Sequence, residues 1–229
     1  MIVGKAVEDI DVQMPYDAYP QDKDGPTLKA YLTIVVRNEK GDIVKVHKQW
    51  SRSPTANFMG FLMPTNWYTN TNSNWTITTT GGGTYGFNPT ETPTCYPSTG
   101  TQCQAYLYMI QVGSGQQSNP YSASTLAAPI ANGSGSGQLL YGQPSVSSTP
   151  TVSGSSVYFT ISQTLNNQSG GTVVITEVGI IVYANTWDIG STKCSSIGYV
   201  LVWYDVLSSS ISISNGGSIT IYYTFTVNP

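Results

Sequence analysis

The chain holds few residues able to do chemistry, and their spacing limits what that chemistry can be. It has one histidine, His47, inside the charged stretch VKVHKQW. A nucleophile–base relay or a His-rich zinc site needs more partners than this. The stretch reads as a strand, so His47 is expected as a partly exposed strand residue. Among three cysteines, Cys95 and Cys103 enclose the turn-rich loop Tyr-Pro-Ser-Thr-Gly-Thr-Gln. That pair would close a disulfide in an oxidising compartment or a hyperthermophilic source; the alternative is two free thiols in a surface loop. Cys194 is left over and reads as an inert core thiol. No catalytic residue, cofactor or metal is assigned.

Glu177 is the most informative charge. It lies inside TVVITEVGIIV, the most apolar segment of the chain, where an unpaired carboxylate is costly to desolvate. Arg52 and Lys193 are the candidate partners, and a structural Arg52–Glu177 ion pair is favoured over a catalytic acid. A glycosidase would need a second carboxylate close by. Asp188 and Asp205 are present, but no motif ties them to Glu177. Three glycosylation sequons begin at Asn74, Asn132 and Asn167. Each falls at an expected turn or strand edge, as glycosylation requires, although a chain this rich in Ser, Thr and Asn yields such matches by chance.

The elements that must hold these residues follow from composition and pattern. Only 9% of the 229 residues are charged, against about 25% in ordinary soluble domains. The difference is made up by 27 Ser and 28 Thr, alongside 23 Gly and 16 Tyr. A net charge of −3 without a basic cluster argues against nucleic acid, which is held by a basic footprint. No stretch approaches the roughly 18 apolar residues of a membrane helix, so no membrane partner is expected. Glu8, Asp9 and Asp11 stand where a signal peptide would carry its apolar segment.

Charge is unevenly placed. Residues 1–52 hold eight of the nine basic and eight of the twelve acidic residues. Residues 1–26, with Pro15, Pro20, Gly25 and Pro26, read as an extended N-terminal arm with little core of its own. Residues 27–229 read as one β-sandwich domain: a charged hairpin and short helix over 27–64, then a charge-poor body over 65–229. The hairpin strands are 27–36 and 43–50, with neither face of the second cleanly apolar, so partial solvation is expected. Ser53 and Pro54 suit a helix start, and the helix near 54–63 is apolar on most sides. Phe58, Phe61 and Leu62 should pack it onto the sheet or a neighbouring subunit.

Beyond residue 65, short alternating strands are expected at 75–80, 105–112, 157–164, 172–184, 197–206 and 218–227. The 173–183 run is apolar on both faces and should be central. With no second helix, the fold class is all-β, an antiparallel sandwich of jelly-roll-like type; an immunoglobulin-like sandwich is the nearest competitor. Residues 81–104 and 113–156 are read as ordered loops over the sandwich, anchored by Tyr85, Phe87, Tyr96, Tyr121, Leu139, Leu140 and Tyr141. Their tips, 81–104 and 113–135, are the expected exposed contacts.

Four segments, in order, resemble uncharacterised virion proteins of tailed phages and related viruses. They are Ser51-Arg52-Ser53 with Asn57-Phe58, then IANGSGSGQLLYG (130–142), FTISQTLNNQSGGTVVITEVGIIV (159–182) and VLSSSISISNGGSITIYYTFTV (206–227). Gln163 departs from that pattern, which carries Arg there, and residues 65–104 match none of it. The resemblance implies a virion structural component, assembled in the host cytoplasm, whose partners are copies of itself, other virion proteins and host surface glycans or a receptor.

A capsid-surface, turret, tail or fibre protein is therefore the first expectation. An extracellular filament subunit or adhesin fits the composition equally. A carbohydrate-active enzyme or binding module would use Trp67, Trp75, Trp187, Trp203 and the tyrosines, although such aromatics in sandwiches are usually core or interface. Neutralising all twelve carboxylates would move the net charge only to about +10, so acid should unfold this chain less readily than most, as a hot, acidic habitat would require.

Overall fold

The computed structural model describes residues 27–51, 54–58, 75–87, 108–147, 150–187 and 194–228. Its strands in chain order are β1 (Thr27–Arg37), β2 (Ile43–Ser51), β3 (Trp75–Thr78), β4 (Thr84–Phe87), β5 (Tyr108–Gly113) and β6 (Leu140–Tyr141). There follow β7 (Ser145–Val146), β8 (Thr151–Ser153), β9 (Ser156–Asn166), β10 (Val173–Trp187), β11 (Cys194–Ile213) and β12 (Ser218–Asn228). A helical turn covers Ala56–Phe58, inside the segment where the sequence predicts a helix.

Two antiparallel sheets pack face to face. The larger has the order β2-β1-β12-β9-β6, with β7 and β8 also paired to β9; the smaller is β11-β10-β5. Strand alternation builds the interior. Ala30, Leu32, Ile34 and Val36 of β1 and Ile219, Ile221, Tyr223 and Phe225 of β12 face Val178, Ile180 and Val182 of β10 and Val200, Val202 and Trp203 of β11 in one core. The apolar 173–183 run is the middle strand of the smaller sheet, as its two-sided hydrophobicity requires. A separate short pair, β3 and β4, makes the third sheet.

The hairpin is partly solvated, as expected from its sequence, but the exposure falls mainly on β2. Every residue of β1 from Ala30 to Val36 is buried, because β1 lies between β2 and β12. Cross-strand neighbours also shield its outer face: Trp50 stands opposite Tyr31, and Tyr222 opposite Thr33. Only β2 is at the edge, with Val44, Lys45, Val46 and Lys48 exposed. His47 departs from the partly exposed placement expected for it. It is 7% exposed, with Nε2 2.9 Å from Gln49 Oε1.

The run expected at 197–206 extends to Ile213, and a bulge explains the extra length. Ile175 pairs with Ile211 but Glu177 pairs with Val206, so β11 carries extra residues there and bends. The bend brings its backbone to β2. Gln49 donates to the Val206 carbonyl and accepts from Ser208 N–H, and Lys45 Nζ donates to the Ser210 carbonyl. Those three bonds close one side of the sandwich.

Candidate functional site

Two buried carboxylates lie on the smaller sheet, one on each of its faces. Glu177 is on the outer face and fully buried. Residues 114–130 leave β5, cross that face and return, so that Ser114 N–H bonds Ala128 O and Ile130 N–H bonds Val112 O, both at 2.9 Å. The carboxylate fills the mouth of this strap. Oε1 accepts from the amides of Gly115 (3.2 Å) and Ala128 (2.8 Å). Oε2 accepts from the Ala127 amide (3.0 Å) and the Tyr204 hydroxyl (2.7 Å). Oriented N–H dipoles thus surround the negative charge, as in other backbone anion seats. Arg52 and Lys193 lie outside the described residues, so the expected ion pair does too.

Small residues make room for the strap. A Cβ at Gly113 would come within 2.2 Å of Glu177 Oε1, and one at Gly115 within 2.7 Å of the Ala127 Cβ. At Gly179 it would meet Leu201 Cδ1 at 2.6 Å and Leu126 Cδ2 at 3.0 Å. Leu126 packs into that space with Ala123, Ile181, Leu201 and Tyr204. The 113–135 segment is therefore no free tip. It is docked through Glu177 and Leu126, and its exposed residues, among them Tyr121, ride on a fixed strap.

Asp205 occupies the inner face, 3% exposed. Its Oδ2 accepts from the Tyr223 hydroxyl at 2.9 Å and from Ser51 Oγ, which itself accepts from Trp203 Nε1. Ser51 and Tyr223 belong to the larger sheet and Trp203 and Asp205 to the smaller, so the cluster ties the two together. Burial first, then the Asp205 charge and hydrogen bond, hold the Tyr223 phenol well above the ordinary tyrosine range. Burial, with Glu177 and Asp205 adding to it, does the same for Tyr204. Both carboxylates act as hydrogen-bond acceptors, Glu177 from backbone amides and a phenol, Asp205 from a phenol and a serine hydroxyl.

A second tie lies at the opposite side of the sandwich. Gln163 of β9 accepts from Ile110 N–H of β5 at 2.6 Å and donates to the Gly142 carbonyl at 2.8 Å. Beside it, the Tyr141 hydroxyl donates to Ile130 O and accepts from Val112 N–H. Burial pushes Tyr141 up to about 12, the Val112 bond opposing. Sequence reading noted Gln163 only as a departure from Arg.

Asn167 follows β9 directly, at a strand edge as expected. It is fully buried; Nδ2 donates to both Gly171 O and Ile213 O at 2.8 Å, and Oδ1 accepts from Ser169 N–H and Oγ. Its amide nitrogen has no room for a glycan in the folded chain. Asn132 is exposed and accepts from Tyr141 N–H; Asn74 lies outside the described residues. Phe58 packs edge-on to Trp203, with ring centres 5.1 Å apart, and Trp203 continues to Phe225 at 5.0 Å. Trp203 is therefore core. Phe61, Leu62, Trp67, Cys95, Cys103 and Asp188 lie outside the described residues, as do the side chains of Trp75, Trp187 and Cys194.

Sequence reading missed Asp205, Asn167 and Gln163 as fold-holding polar residues. Asp205 carried the same signal as Glu177, a carboxylate within an apolar strand. Asn167 and Gln163 carried none, because amides are common in turns and at strand edges. Among the described residues, no group of three or more His, Cys, Asp or Glu is placed to hold a metal ion, and no helix is long and apolar enough to cross a membrane. Comparison with protein-family models, curated proteins and solved structures finds no match to this chain.

Proposed function

We propose that this chain is a non-enzymatic structural subunit that assembles in many copies, as a virion surface, tail or fibre component does. The observation that carries the reading is how its polar chemistry is spent. Glu177 fixes the strap, Asp205 joins the two sheets, and Gln163 and Asn167 fix edges and turns. Among the described residues, every buried side-chain nitrogen and oxygen is hydrogen-bonded. Groups held in this way stiffen a scaffold, which is what a repeated subunit requires. The ordered resemblance across residues 51–227 points to virions over cell-surface filaments.

Electron microscopy of the purified full-length protein tests the reading. Regular rings, caps or filaments with one repeating unit are the expected result. Uniform single-chain particles at every concentration would contradict it.

A further inference from the structure

The sheet edges of this sandwich are treated unequally. An open strand edge presents unpaired amides and carbonyls and is a template for pairing with another chain. The β5 edge is closed by Gln163, Tyr141 and the bond from Ile130 N–H to Val112 O. The β11 edge is covered from Tyr199 to Ser210. Thr55 and Asn57 bond the carbonyls of Val202 and Leu201, Thr80 N–H bonds Tyr199 O, and Gln49 and Lys45 take Val206, Ser208 and Ser210. Successive stretches of β9 are paired by β6, β7 and β8, strands of only two or three residues. The strands β3 and β4 have four residues each.

The exception is β2. It is nine residues long and ends the larger sheet, and no described strand pairs with its outer side. Its exposed residues combine apolar and basic character: Val44 at 60%, Val46 at 37%, with Lys45 and Lys48. The 26 residues before β1 have the opposite charge, with two basic residues (Lys5, Lys23) against six acidic ones (Glu8, Asp9, Asp11, Asp17, Asp22, Asp24). Within them, Ile10, Val12 and Met14 alternate with Asp9, Asp11 and Gln13, the period of a strand.

We infer that residues 6–13 of one copy pair as an antiparallel strand with β2 of a neighbouring copy. One register satisfies both charge and hydrophobicity. It sets Glu8 opposite Lys48, Asp9 opposite His47, Ile10 opposite Val46, Asp11 opposite Lys45 and Val12 opposite Val44. Opposite charges and apolar pairs then face each other at every one of these positions except the His47 site, where an imidazole meets a carboxylate. Strand addition of this kind draws its affinity from main-chain hydrogen bonds and its specificity from the alternating side chains.

Chain geometry favours a second copy over folding back. In this register Gln13 lies beside Ile43, at the Arg37 end of β1, whereas the chain must re-enter at Thr27, the other end. The eleven residues of β1 span about 33 Å to 36 Å at roughly 3.3 Å per residue. Residues 14–26 reach at most about 43 Å to 47 Å fully extended, and they must also cross two strands. Folding back would hold that segment at roughly three-quarters or more of its full reach, a constraint that a neighbouring copy does not impose in advance.

The inference rests on the assembly reading above, and the experiment separates the two. Full-length chains carrying only Ile10→Cys are mixed with chains carrying only Val46→Cys, and air-oxidised products are mapped by peptide mass spectrometry. The expected product is a disulfide between position 10 of one chain and position 46 of another. In parallel, Lys48→Glu and Glu8→Lys should each weaken association by roughly tenfold or more, and the double swap should restore it. Folding of each variant is checked by circular dichroism. An assembled wild type that yields no such cross-link, and is indifferent to both reversals, overturns the strand pairing and leaves the assembly reading standing. A cross-link formed within single chains carrying both substitutions, but never between chains, also overturns it. A monomeric wild type overturns both.

Discussion

The Tyr223 hydroxyl donates to the Asp205 carboxylate at 2.9 Å through the middle of the sandwich, from an inner strand of one sheet to an edge strand of the other. Apolar burial holds two sheets together without fixing how they slide, because it has little directionality. A buried hydrogen bond from a phenol to a carboxylate has direction, and breaking it leaves a charged acceptor short of a donor. Tyr223→Phe should therefore destabilise the fold by about 1–3 kcal/mol. Combined with Asp205→Asn, the two changes should be non-additive. Urea unfolding of the four proteins in that cycle measures both, and additive effects would mean that the pair does not act as a unit.

The strap depends on Glu177 keeping two acceptor oxygens. In Glu177→Gln one oxygen becomes an NH2 group that faces backbone N–H donors, so a buried amide loses its acceptor. The expected loss is about 1–3 kcal/mol. Gly179→Ala drives a methyl against Leu201 and Leu126 and should cost about 1–3 kcal/mol by overpacking. Both changes should raise hydrogen exchange of the Ala127 and Ala128 amides in particular. Unchanged protection there would show that the strap is held by something other than the carboxylate.

Asn167 makes a third expectation. It joins the β9–β10 crossing to the β11–β12 turn, since its backbone also bonds Gly217 O and Gly216 N–H. Expressed in a glycosylating host, folded protein should carry no glycan at Asn167, as read by peptide mass spectrometry. Asn167→Asp keeps the two acceptor bonds but removes both donors, and should destabilise by about 1–3 kcal/mol. A fully glycosylated, folded Asn167 would contradict the buried placement.

Alkaline behaviour follows from the buried phenols. Burial raises Tyr31 and Tyr141, and burial with nearby carboxylates raises Tyr204 and Tyr223, above the ordinary tyrosine value of 10.0. Above that value the unfolded chain gives up these protons while the folded chain keeps them. Stability is therefore intact below about pH 10 and falls as pH rises through the folded values, about 12 for Tyr141. Phenolate absorbance should show these tyrosines titrating late, together with unfolding. Early, fully reversible ionisation of all the tyrosines without loss of structure would refute this.

Much of the fold was legible because alternation is a local signal. Ile219, Ile221, Tyr223 and Phe225 declared both the strand and its buried face, and the two-sided 173–183 run declared a central strand. The β11 bulge was not legible, because Ser208, Ser209 and Ser210 read as strand or turn with equal ease and only pairing with β10 shows the extra length. His47 was misjudged for a related reason. Strand pattern gives the side a residue points to, but not whether a bend in another strand covers that side. The polar ties were half legible. A carboxylate in an apolar strand is visible in sequence, but its partners at Glu177 are backbone amides some fifty to sixty residues away, and backbone leaves no compositional trace.

The mass of the purified protein in solution, by light scattering with and without residues 1–26, tests the assembly reading most directly. A defined multi-subunit species that falls to single chains when the arm is removed is the result expected here. A stable monomer in both forms would contradict it, and would turn attention to the aromatic and hydroxyl-rich surface as a carbohydrate-binding face.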